Sequence, residues 1–455
     1  MGALRRNTEL GLVIMAAMIT GGLYALASLG NNASMPADFG PFLAEVLALM
    51  LVAHIATRRL ARNADALLLP IALLLNGIGY VFITRLAEDV PKSGDLPGLQ
   101  ATWTLLGITA YIATLFFVRR IRDLDRYRYT LLLVGVGLLL APLLPAIGRT
   151  INGSRIWIHV GPVSLQPGEF AKIALAVFFA SYLVEKRELL RTGTYKIGPF
   201  RLPEPKHLAP VLIAWGISLL VLVRQKDLGS SLLFFALFVA MLWITTERIA
   251  YPVIALALFG VGAYVSFRTF GHVETRVDAW LDPWKDAQRG GYQVIQAQFA
   301  LAGGGLTGAG PGLGRPDLIP AVATDMIFAA IGEELGLLGS TAILVSFLLF
   351  VGSGYRIATR AQQPFEKLLA AGLTTLIGFQ AFIIIGGVIR VVPLTGVTLP
   401  FVSYGGSSLL ANYVLLALLM RISDETGRQE AAAAAEAQAV VPVDAAATVT
   451  TVVKP

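Results

Sequence analysis

The chain of 455 residues is 56% hydrophobic and only 14% charged, and its mean hydropathy of +0.70 excludes an ordinary soluble protein. The absence of cysteine excludes disulfides, thiolate metal sites and a cysteine nucleophile. The net charge of +7 is more typical of the orientation of a membrane protein than of nucleic-acid binding, and no basic patch with interleaved aromatic residues accompanies it.

Apolar stretches long enough to cross about 30 Å of hydrocarbon recur along the chain and predict an all-α, polytopic transmembrane bundle. Twelve spans are predicted, at residues 11–29, 39–57, 66–84, 101–118, 129–147, 168–184, 208–223, 229–246, 249–268, 326–353, 366–389 and 405–421. The first stretch also resembles a cleavable signal peptide, because Arg5 and Arg6 precede an apolar run that ends at Ala25-Leu-Ala27. The length of that run and the spans that follow it favour an uncleaved first span.

Lysine and arginine concentrate in every second connection between the spans, for example at residues 58–62, 119–128 and 356–367. The positive-inside rule therefore predicts a multi-pass protein of the cytoplasmic membrane with both termini cytoplasmic. The long polar passage at residues 270–324 then lies outside, and its aromatic content predicts short interfacial helices rather than disorder. The chain changes character after Arg421, and residues 430–455 are Ala/Val-rich without a periodic apolar face, so residues 422–455 are predicted to form a disordered cytoplasmic tail.

Asp325 lies where the polar passage ends and a strongly apolar helix is predicted to begin. A carboxylate at that boundary still ionises while it faces a low-dielectric cavity, so we interpret Asp325 as a catalytic base. Thr324, Arg276 and Asp282, from the same passage, are candidates for binding a substrate. The alternative is that Asp325 is only the N-cap of the following helix and accepts hydrogen bonds from its first N–H groups.

Glu169 and Lys172 are three residues apart at the start of the sixth predicted span and therefore share a helix face. They form either a structural ion pair or part of the wall of a polar cavity, in which Lys172 or Arg155 meets an anion. Arg155 suits a phosphate because its planar guanidinium donates two hydrogen bonds at once. Trp157 and Gln166 belong to the same stretch and are further candidates.

Two more stretches combine polar residues with predicted helix ends. Asp227 lies in a very short connection and either binds substrate or caps the eighth span. Ser403, Tyr404 and Ser407 belong to a glycine- and hydroxyl-rich stretch, residues 393–408, that allows irregular backbone beside a cavity. Taken alone, this stretch is equally typical of a broken transporter helix.

Several familiar motifs are absent from the sequence. The glycine-rich run at residues 303–314 lacks the lysine pattern of a nucleotide-binding loop and follows no predicted strand. The four histidines have no metal-ligand spacing, and neither a Gly-x-Ser-x-Gly elbow nor a His-Glu-x-x-His motif occurs. The motifs therefore favour neither a nucleotide site nor a histidine-bound metal.

Together the polar stretches resemble the SEDS family of shape, elongation, division and sporulation proteins, which includes FtsW, RodA and SpoVE. The resemblance is carried by Arg155-x-Trp157, Gln166-Pro-x-Glu-Phe-Ala-Lys172, Asp227-Leu-Gly229, Leu281-Asp-Pro-Trp284, Thr324-Asp325 and Pro400-Phe-x-Ser-Tyr-Gly-Gly-Ser-Ser408. It covers roughly residues 66–421 as a ten-span core, and the additional spans in residues 1–65 resemble those of actinobacterial RodA-type members. The sequence departs from the family pattern at Ala323, Gly168, Lys226 and Arg390, where a histidine, a serine, a proline and an uncharged residue are expected.

The resemblance implies a peptidoglycan glycosyltransferase that polymerises lipid II on the outer face of the cytoplasmic membrane, in cell elongation or division. It implies an inverting reaction in which Asp325 takes the proton of the acceptor hydroxyl while Arg155 and Lys172 steady the departing diphosphate. A divalent cation, Mg²⁺ or Mn²⁺, is expected to assist them. The expected partners are lipid II, the growing glycan strand, membrane lipids and a class B penicillin-binding protein, and no nucleic acid. The residues expected to bind or position the substrate are Arg155, Trp157, Gln166, Glu169, Lys172, Asp227, Arg276, Asp282, Thr324, Ser403, Tyr404 and Ser407.

Two other functional classes fit the same polar residues. A flippase would move lipid II across the bilayer, and a scaffold would only recruit other proteins. A flippase needs paired gates and access from both sides, whereas a polymerase needs one outward site with a base and an anion clamp. The long polar passage that ends at Asp325 favours the polymerase.

Overall fold

The computed structural model describes residues 2–89, 95–145, 147–151, 153–160, 163–191, 195–197, 200–202 and 205–439. Within these residues, nine helices are long and apolar enough to cross a membrane. The predicted all-α transmembrane bundle is confirmed, and the chain is a multi-pass membrane protein.

Helices dominate the described part of the chain. Those of the first half are α1 (Gly2–Asn32), α2 (Phe39–Leu60), α3 (Leu68–Asp89), α4 (Leu96–Phe117), α5 (Arg122–Arg126), α6 (Arg128–Leu140), α7 (Gly168–Glu185), α8 (Arg187–Arg191) and α9 (Pro205–Gln225). Those of the second half are α10 (Leu228–Thr246), α11 (Ala250–Thr269), α12 (Gly271–Leu281), α13 (Tyr292–Gly304), α14 (Ile327–Arg360), α15 (Pro364–Val388) and α16 (Gly406–Ala439). Each predicted span coincides with a helix, and α6, α7 and α9 are the matching helices outside the nine.

The fifth predicted span, residues 129–147, is longer than the helix that forms there. α6 ends at Leu140, a 3₁₀ turn follows at Ala141–Leu143, and a strand begins at Gly148. Pro142 lies in that turn and supplies no backbone N–H, so it cannot extend the helical hydrogen-bond ladder. The predicted span is corrected accordingly.

Two small antiparallel sheets, which the all-α prediction did not include, interrupt the helices. Their strands are β1 (Gly148–Ile151), β2 (Ser154–Val160), β3 (Val163–Leu165), β4 (Tyr195–Ile197) and β5 (Phe200–Leu202). In the first sheet, Arg149 lies opposite Trp157, and Ile158 lies opposite Leu165. β-Branched and aromatic residues along β2 favour a strand, and this strand carries the predicted site residues Arg155 and Trp157.

The centre of the bundle is formed by α7 and α15. Every residue of α7 from Ala171 to Leu183 is buried, and α15 contacts α7, α10 and α14. A helix that is apolar on all faces belongs in the interior of a large protein. α1 and α2 instead pack onto α3 and α4 from one side of the bundle.

The short helices predicted for the polar passage are present. α12 is followed by a 3₁₀ turn at Pro283–Asp286, then by α13 and by a second 3₁₀ turn at Pro316–Leu318. α13 packs along α14, and α12 follows directly after α11. The passage is therefore an ordered layer against the helices that flank Asp325.

α14 contains a break at Gly336, where φ is 65° and ψ is −163°. The residues at 304–314, called the glycine segment below, fill this break. Two of its amides donate to the carbonyls of residues 333–334 at 2.9 and 3.1 Å, and two of its carbonyls accept from the amides of residues 337–338 at 2.9 and 3.2 Å. Backbone groups freed inside a membrane protein need such partners, because lipid supplies none.

The predicted start of a disordered tail at residue 422 is wrong. α16 continues through Ala439, and Ile422, Asp424 and Thr426 are buried. Asp424 stabilises the helix beyond residue 421, because it accepts a hydrogen bond from the backbone amide of Asn63 at 2.9 Å and pairs with Arg421 at 3.2 Å. The remainder of the predicted tail, residues 440–455, lies outside the described residues.

Candidate active site

Asp325 lies in the turn directly before α14 and is half-buried. Its Oδ1 accepts a hydrogen bond of 2.7 Å from the hydroxyl of Thr324. The N-cap position of α14 belongs to Met326, and no side chain caps the helix there. The N-cap alternative for Asp325 is therefore wrong, and the carboxylate is left to interact with the space beside the turn.

The turn that carries the carboxylate is fastened to the glycine- and hydroxyl-rich stretch near the end of the chain. The hydroxyl of Ser403 donates to the carbonyl of Thr324, and the amide of Tyr404 donates to the carbonyl of Ala323 at 2.8 Å. The same Ser403 oxygen accepts from the amide of Leu399 at 2.9 Å. Ser403 and Tyr404, both predicted site residues, thus position the turn through backbone contacts.

A cleft of about 90 Å³ opens beside Asp325. Its walls are α12, the start of α13 and the chain that follows α15, at residues 387–396. Two arginines, Arg276 and Arg390, line the cleft together with Asp325. One acidic and two basic residues therefore line a single small cleft.

Arg276 projects from α12 and is held by the chain after α15. Its Nη1 donates to the carbonyl of Thr395 at 2.8 Å. Burial lowers the pKa of Arg276, and the carboxylates of Asp227 and Asp325 act in the opposite direction. An arginine remains protonated near neutral pH even so, and it supplies a fixed positive charge within electrostatic reach of both carboxylates.

Arg390 is a site residue that the sequence-based candidates did not include. It adopts a left-handed conformation with φ of 62°, and its Nε donates to the carbonyl of Trp280 at 3.0 Å. The indole N–H of Trp280 donates back to the carbonyl of Arg390 at 3.0 Å. The only sequence signal was a charge at a position where the family resemblance predicts none.

The two cations predicted to meet the diphosphate are not among the residues that line the cleft. Arg155 donates from Nε to the carbonyl of Pro142 at 2.9 Å and from Nη2 to the carbonyl of Leu144 at 3.2 Å. Lys172 is buried and pairs with Glu169 at 2.8 Å. The structural ion pair, weighed as the alternative for these two residues, is therefore present, and Arg155 fastens the first sheet to the end of α6.

Lys172 nevertheless connects to the turn of the active site through other side chains. Its Nζ donates to Oε1 of Gln380 at 3.0 Å, and the amide of Gln380 donates to the carbonyl of Thr398 at 2.8 Å. Thr398 in turn donates to the hydroxyl of Ser408 at 2.8 Å. The buried ion pair thus supports the same stretch that holds the Asp325 turn.

Comparison with known proteins identifies the family of the chain. A sequence profile of the FtsW/RodA/SpoVE family, described as cell cycle proteins, matches residues 65–428. The chain belongs to this family. It is 45% identical over 424 residues to the peptidoglycan glycosyltransferase RodA of Mycobacterium tuberculosis (strain ATCC 25618 / H37Rv), which covers 92% of this chain and 90% of that one. It is 34% identical over 368 residues to the stage V sporulation protein E of Bacillus subtilis (strain 168), which covers 79% of this chain and 97% of that one.

Solved structures place this FtsW/RodA/SpoVE-family chain in the same fold. A chain from a peptidoglycan synthase complex superimposes with a TM-score of 0.65 at 24% identity, over 80% of this chain and 98% of that one. Thermus thermophilus RodA superimposes with a TM-score of 0.56 at 24% identity, over 79% and 96% of the two chains. At that level of identity the likeness establishes the fold alone.

The other predicted site residues of this family member lie around the cleft rather than in it. Asp227 caps α10 by accepting from the amide of Ser230 at 3.0 Å, so the capping alternative is present. The backbone amide of Gln166 donates to the hydroxyl of Ser407 at 2.9 Å and so connects the chain just before α7 to the start of α16. The side chains of Trp157, in β2, and Asp282, which is exposed, line no part of the cleft.

Proposed function

We propose that this protein is a peptidoglycan glycosyltransferase that polymerises lipid II into glycan strands on the outer face of the cytoplasmic membrane, in cell elongation or division. The relatives named as peptidoglycan glycosyltransferases support the reaction. The observation that carries the proposal is the cleft in which the carboxylate of Asp325 lies with Arg276 and Arg390. The positive charge of alternate connections supports an orientation with both termini in the cytoplasm and this cleft outside.

Asp325 acts as the general base. A sugar hydroxyl is a poor nucleophile at neutral pH, and a positioned base that takes its proton in the transition state contributes about 10²–10⁴-fold to the rate. Thr324 fixes Oδ1, whereas Oδ2 has no hydrogen-bond partner among the described residues. The acceptor oxygen attacks the anomeric carbon as Oδ2 takes its proton. The bond to the diphosphate breaks on the opposite face, which inverts the configuration.

Arg276 and Arg390 stabilise the departing polyprenyl diphosphate. Arg276 donates from Nη1 to the carbonyl of Thr395 at 2.8 Å, and Arg390 donates from Nε and Nη2 to the carbonyls of Trp280 and Leu281 at 3.0 Å each, so each charge is fixed in place. Fixed donors stabilise growing negative charge without reorganising at the moment of reaction. This role passes to them from Arg155 and Lys172 because those two residues do not line the cleft.

Mg²⁺ or Mn²⁺ is proposed as an additional counter-charge to the diphosphate. The described residues contain no group of three or more His, Asp or Glu side chains that could hold a metal ion. Mg²⁺ sites often use one or two carboxylates together with substrate phosphates. Asp325 is the carboxylate that lines the cleft, but as the base it lies on the acceptor side, so the substrate phosphates would be the main ligands of such an ion. A class B penicillin-binding protein, which cross-links the strands, is the proposed partner.

The assay uses vesicles that contain the purified protein, its penicillin-binding partner and labelled lipid II. Asp325→Asn is expected to lower glycan-strand formation by about 10²–10⁴-fold, because the amide cannot accept the proton. The matched control is Asp278→Asn, which removes a carboxylate from α12 outside the cleft and breaks only an exposed pair with Lys285. Chelation of divalent ions in the same assay is expected to slow the wild-type protein.

Strand formation by Asp325→Asn at the wild-type rate would show that another group is the base. A wild-type protein that moves labelled lipid II across the vesicle membrane without polymerising it would support the flippase instead. A wild-type protein that does neither, yet retains its partner, would support the scaffold.

A further inference from the structure

α14 consists of two helices, and Asp325 lies just before the shorter one. Residues 327–335 form a half-helix that begins just after Asp325 and ends at the break at Gly336. At about 1.5 Å per residue this half-helix is only about 13 Å long. A displacement of its far end therefore reaches the carboxylate at its near end.

The far end of the half-helix is paired with the glycine segment. The carbonyls of Glu333 and Glu334 accept from that segment, and a Cβ at Gly308 would lie 2.2 Å from the Glu334 carbonyl oxygen. The two backbones are therefore as close as glycine permits. A displacement of the glycine segment therefore also displaces the end of the half-helix.

The glycine segment lies against α1, a helix outside the part of the chain that the family profile matches. A Cβ at Gly30 of α1 would lie 2.1 Å from the carbonyl oxygen of Pro311, and a Cβ at Gly312 would lie 2.2 Å from the carbonyl oxygen of Ala27. Both close atoms belong to the backbone and cannot rotate away as a side chain would. The contact exists only while both positions are glycine.

Gly312 is also hydrogen-bonded to the side chains of two other helices. Its amide donates to Oε2 of Glu334 at 2.8 Å, and its carbonyl accepts from Nη2 of Arg85 at 3.1 Å. Arg85 and Glu334 are themselves paired at 3.5 Å and are both buried. One residue of the glycine segment thus joins α1, α3 and the half-helix.

We infer that α1 is a positioning helix for the catalytic carboxylate. The close backbone contact between Gly30 and Pro311 seats the glycine segment in the break of α14, and the seated segment sets the position of the half-helix that directly follows the Asp325 turn. The inference rests on the proposed function, because it takes Asp325 to be the base. α1 itself contributes no group to the reaction.

Gly30→Leu tests the contact, and Gly22→Leu is its matched control. Both changes replace a glycine of α1 by leucine, but a Cβ at Gly22 meets nothing within 4 Å. Gains in helix propensity and hydrophobicity are therefore the same, and only Gly30→Leu pushes the glycine segment away.

A milder pair serves if Gly30→Leu fails to fold. Gly312→Ala and Gly153→Ala both place alanine at φ of +79°, but only Gly312 has backbone atoms of α1 within 4 Å. The conformational strain is shared by both variants, so a difference between them reports the contact with α1.

Two measurements decide the inference. In Gly30→Leu and Gly312→Ala, hydrogen exchange of the amides at residues 305–315 is expected to accelerate while that of α7 stays unchanged. The kcat for strand formation is expected to fall about 100-fold, the scale of a displacement of about 1 Å, with KM for lipid II unchanged. The two control variants are expected to match the wild-type protein in both measurements.

The inference is overturned if exchange at residues 305–315 is unchanged in both test variants, or if it accelerates while kcat stays at the wild-type value. A general loss of stability would instead accelerate exchange in α7 as well and would also contradict a specific role. A wild-type protein that forms no strands refutes the proposed function, whereas the exchange comparison still decides whether α1 seats the glycine segment.

Discussion

At the scale of single residues, the candidate base is held by neighbours that leave one of its oxygens available. Thr324 occupies Oδ1 of Asp325, and Ser403 fixes the carbonyl of Thr324. On the same helix as Arg276, burial, together with Arg276 and Lys226, lowers the pKa of His272. At neutral pH the imidazole is therefore uncharged, and the basic residues that line the cleft of Asp325 are Arg276 and Arg390.

Arg390 provides a test of the diphosphate clamp. Arg390→Gln is expected to lower kcat for strand formation by about 10²-fold, the effect of removing one donor aimed at developing charge. The kcat of Arg390→Lys should lie between those of the wild-type protein and Arg390→Gln, because lysine retains the positive charge without the planar guanidinium group. Steady-state kinetics with purified protein and labelled lipid II measures the effect.

The control for this test is Arg289→Gln, an exposed arginine of the same passage that lies outside the cleft. It is expected to leave kcat unchanged. Equal losses in Arg289→Gln and Arg390→Gln would mean that general positive charge, rather than a fixed donor in the cleft, accounts for the effect.

At the scale of elements, the features that place the site are interruptions of regular structure. α14 breaks at Gly336, and the stretch before α16 has no regular structure between residues 391 and 405. Each interruption exposes backbone groups that pair with the other parts of the site rather than with lipid. The helices supply a rigid frame, and the breaks supply the polar groups that fix the catalytic turn.

The buried pair of Arg85 and Glu334 supports the break in α14. Arg85→Met is expected to lower the free energy of unfolding by about 3–5 kcal/mol, because it leaves the Glu334 carboxylate buried without its cation. Replacing both residues by methionine should recover much of that loss. Denaturant unfolding of the purified protein, followed by a signal from the whole bundle, measures both changes.

A surface pair gives the reference for that experiment. Lys285→Met removes an exposed partner of Asp278 and is expected to change the unfolding free energy by no more than about 1 kcal/mol. If Arg85→Met lowers the free energy of unfolding by no more than Lys285→Met does, the buried pair does not stabilise the break in α14.

At the scale of the whole molecule, the bundle has two chemically different ends. One end carries the polar passage and the cleft of Asp325, and the other carries the basic connections at residues 119–128 and 356–367. α14 runs between these ends, from the turn of Asp325 to Arg360. The positive-inside rule then predicts that the cleft faces outward.

The lack of cysteine makes this orientation easy to test. In intact cells, a membrane-impermeant maleimide is expected to label Gln288→Cys, in the polar passage, and not Ala432→Cys, in the exposed end of α16. After the membrane is permeabilised, both variants should be labelled, which controls for reactivity. Labelling of Ala432→Cys alone in intact cells would place the cleft on the cytoplasmic side.

How much of the site was predictable depends on the range of the interaction. The position of Asp325 at a polar–apolar boundary and the pairing of Glu169 with Lys172 are local features of a sequence. The sequence could not indicate that Arg155 would donate hydrogen bonds to the carbonyls of Pro142 and Leu144, because those bonds depend on a hairpin that the all-α prediction omitted. Nor could it indicate that Arg390 would line the same cleft as Asp325.

The sequence by itself determined that this chain is a helical membrane protein, because the partition of each segment between water and lipid is set by its own composition. Its motifs carried the resemblance to the FtsW/RodA/SpoVE family. It also determined where a carboxylate would meet that boundary. Only the tertiary structure decided which cations meet Asp325, which glycines touch α1 and where α14 breaks. Those choices depend on how distant helices pack, and no local pattern of hydropathy encodes the distance between two side chains that folding brings together.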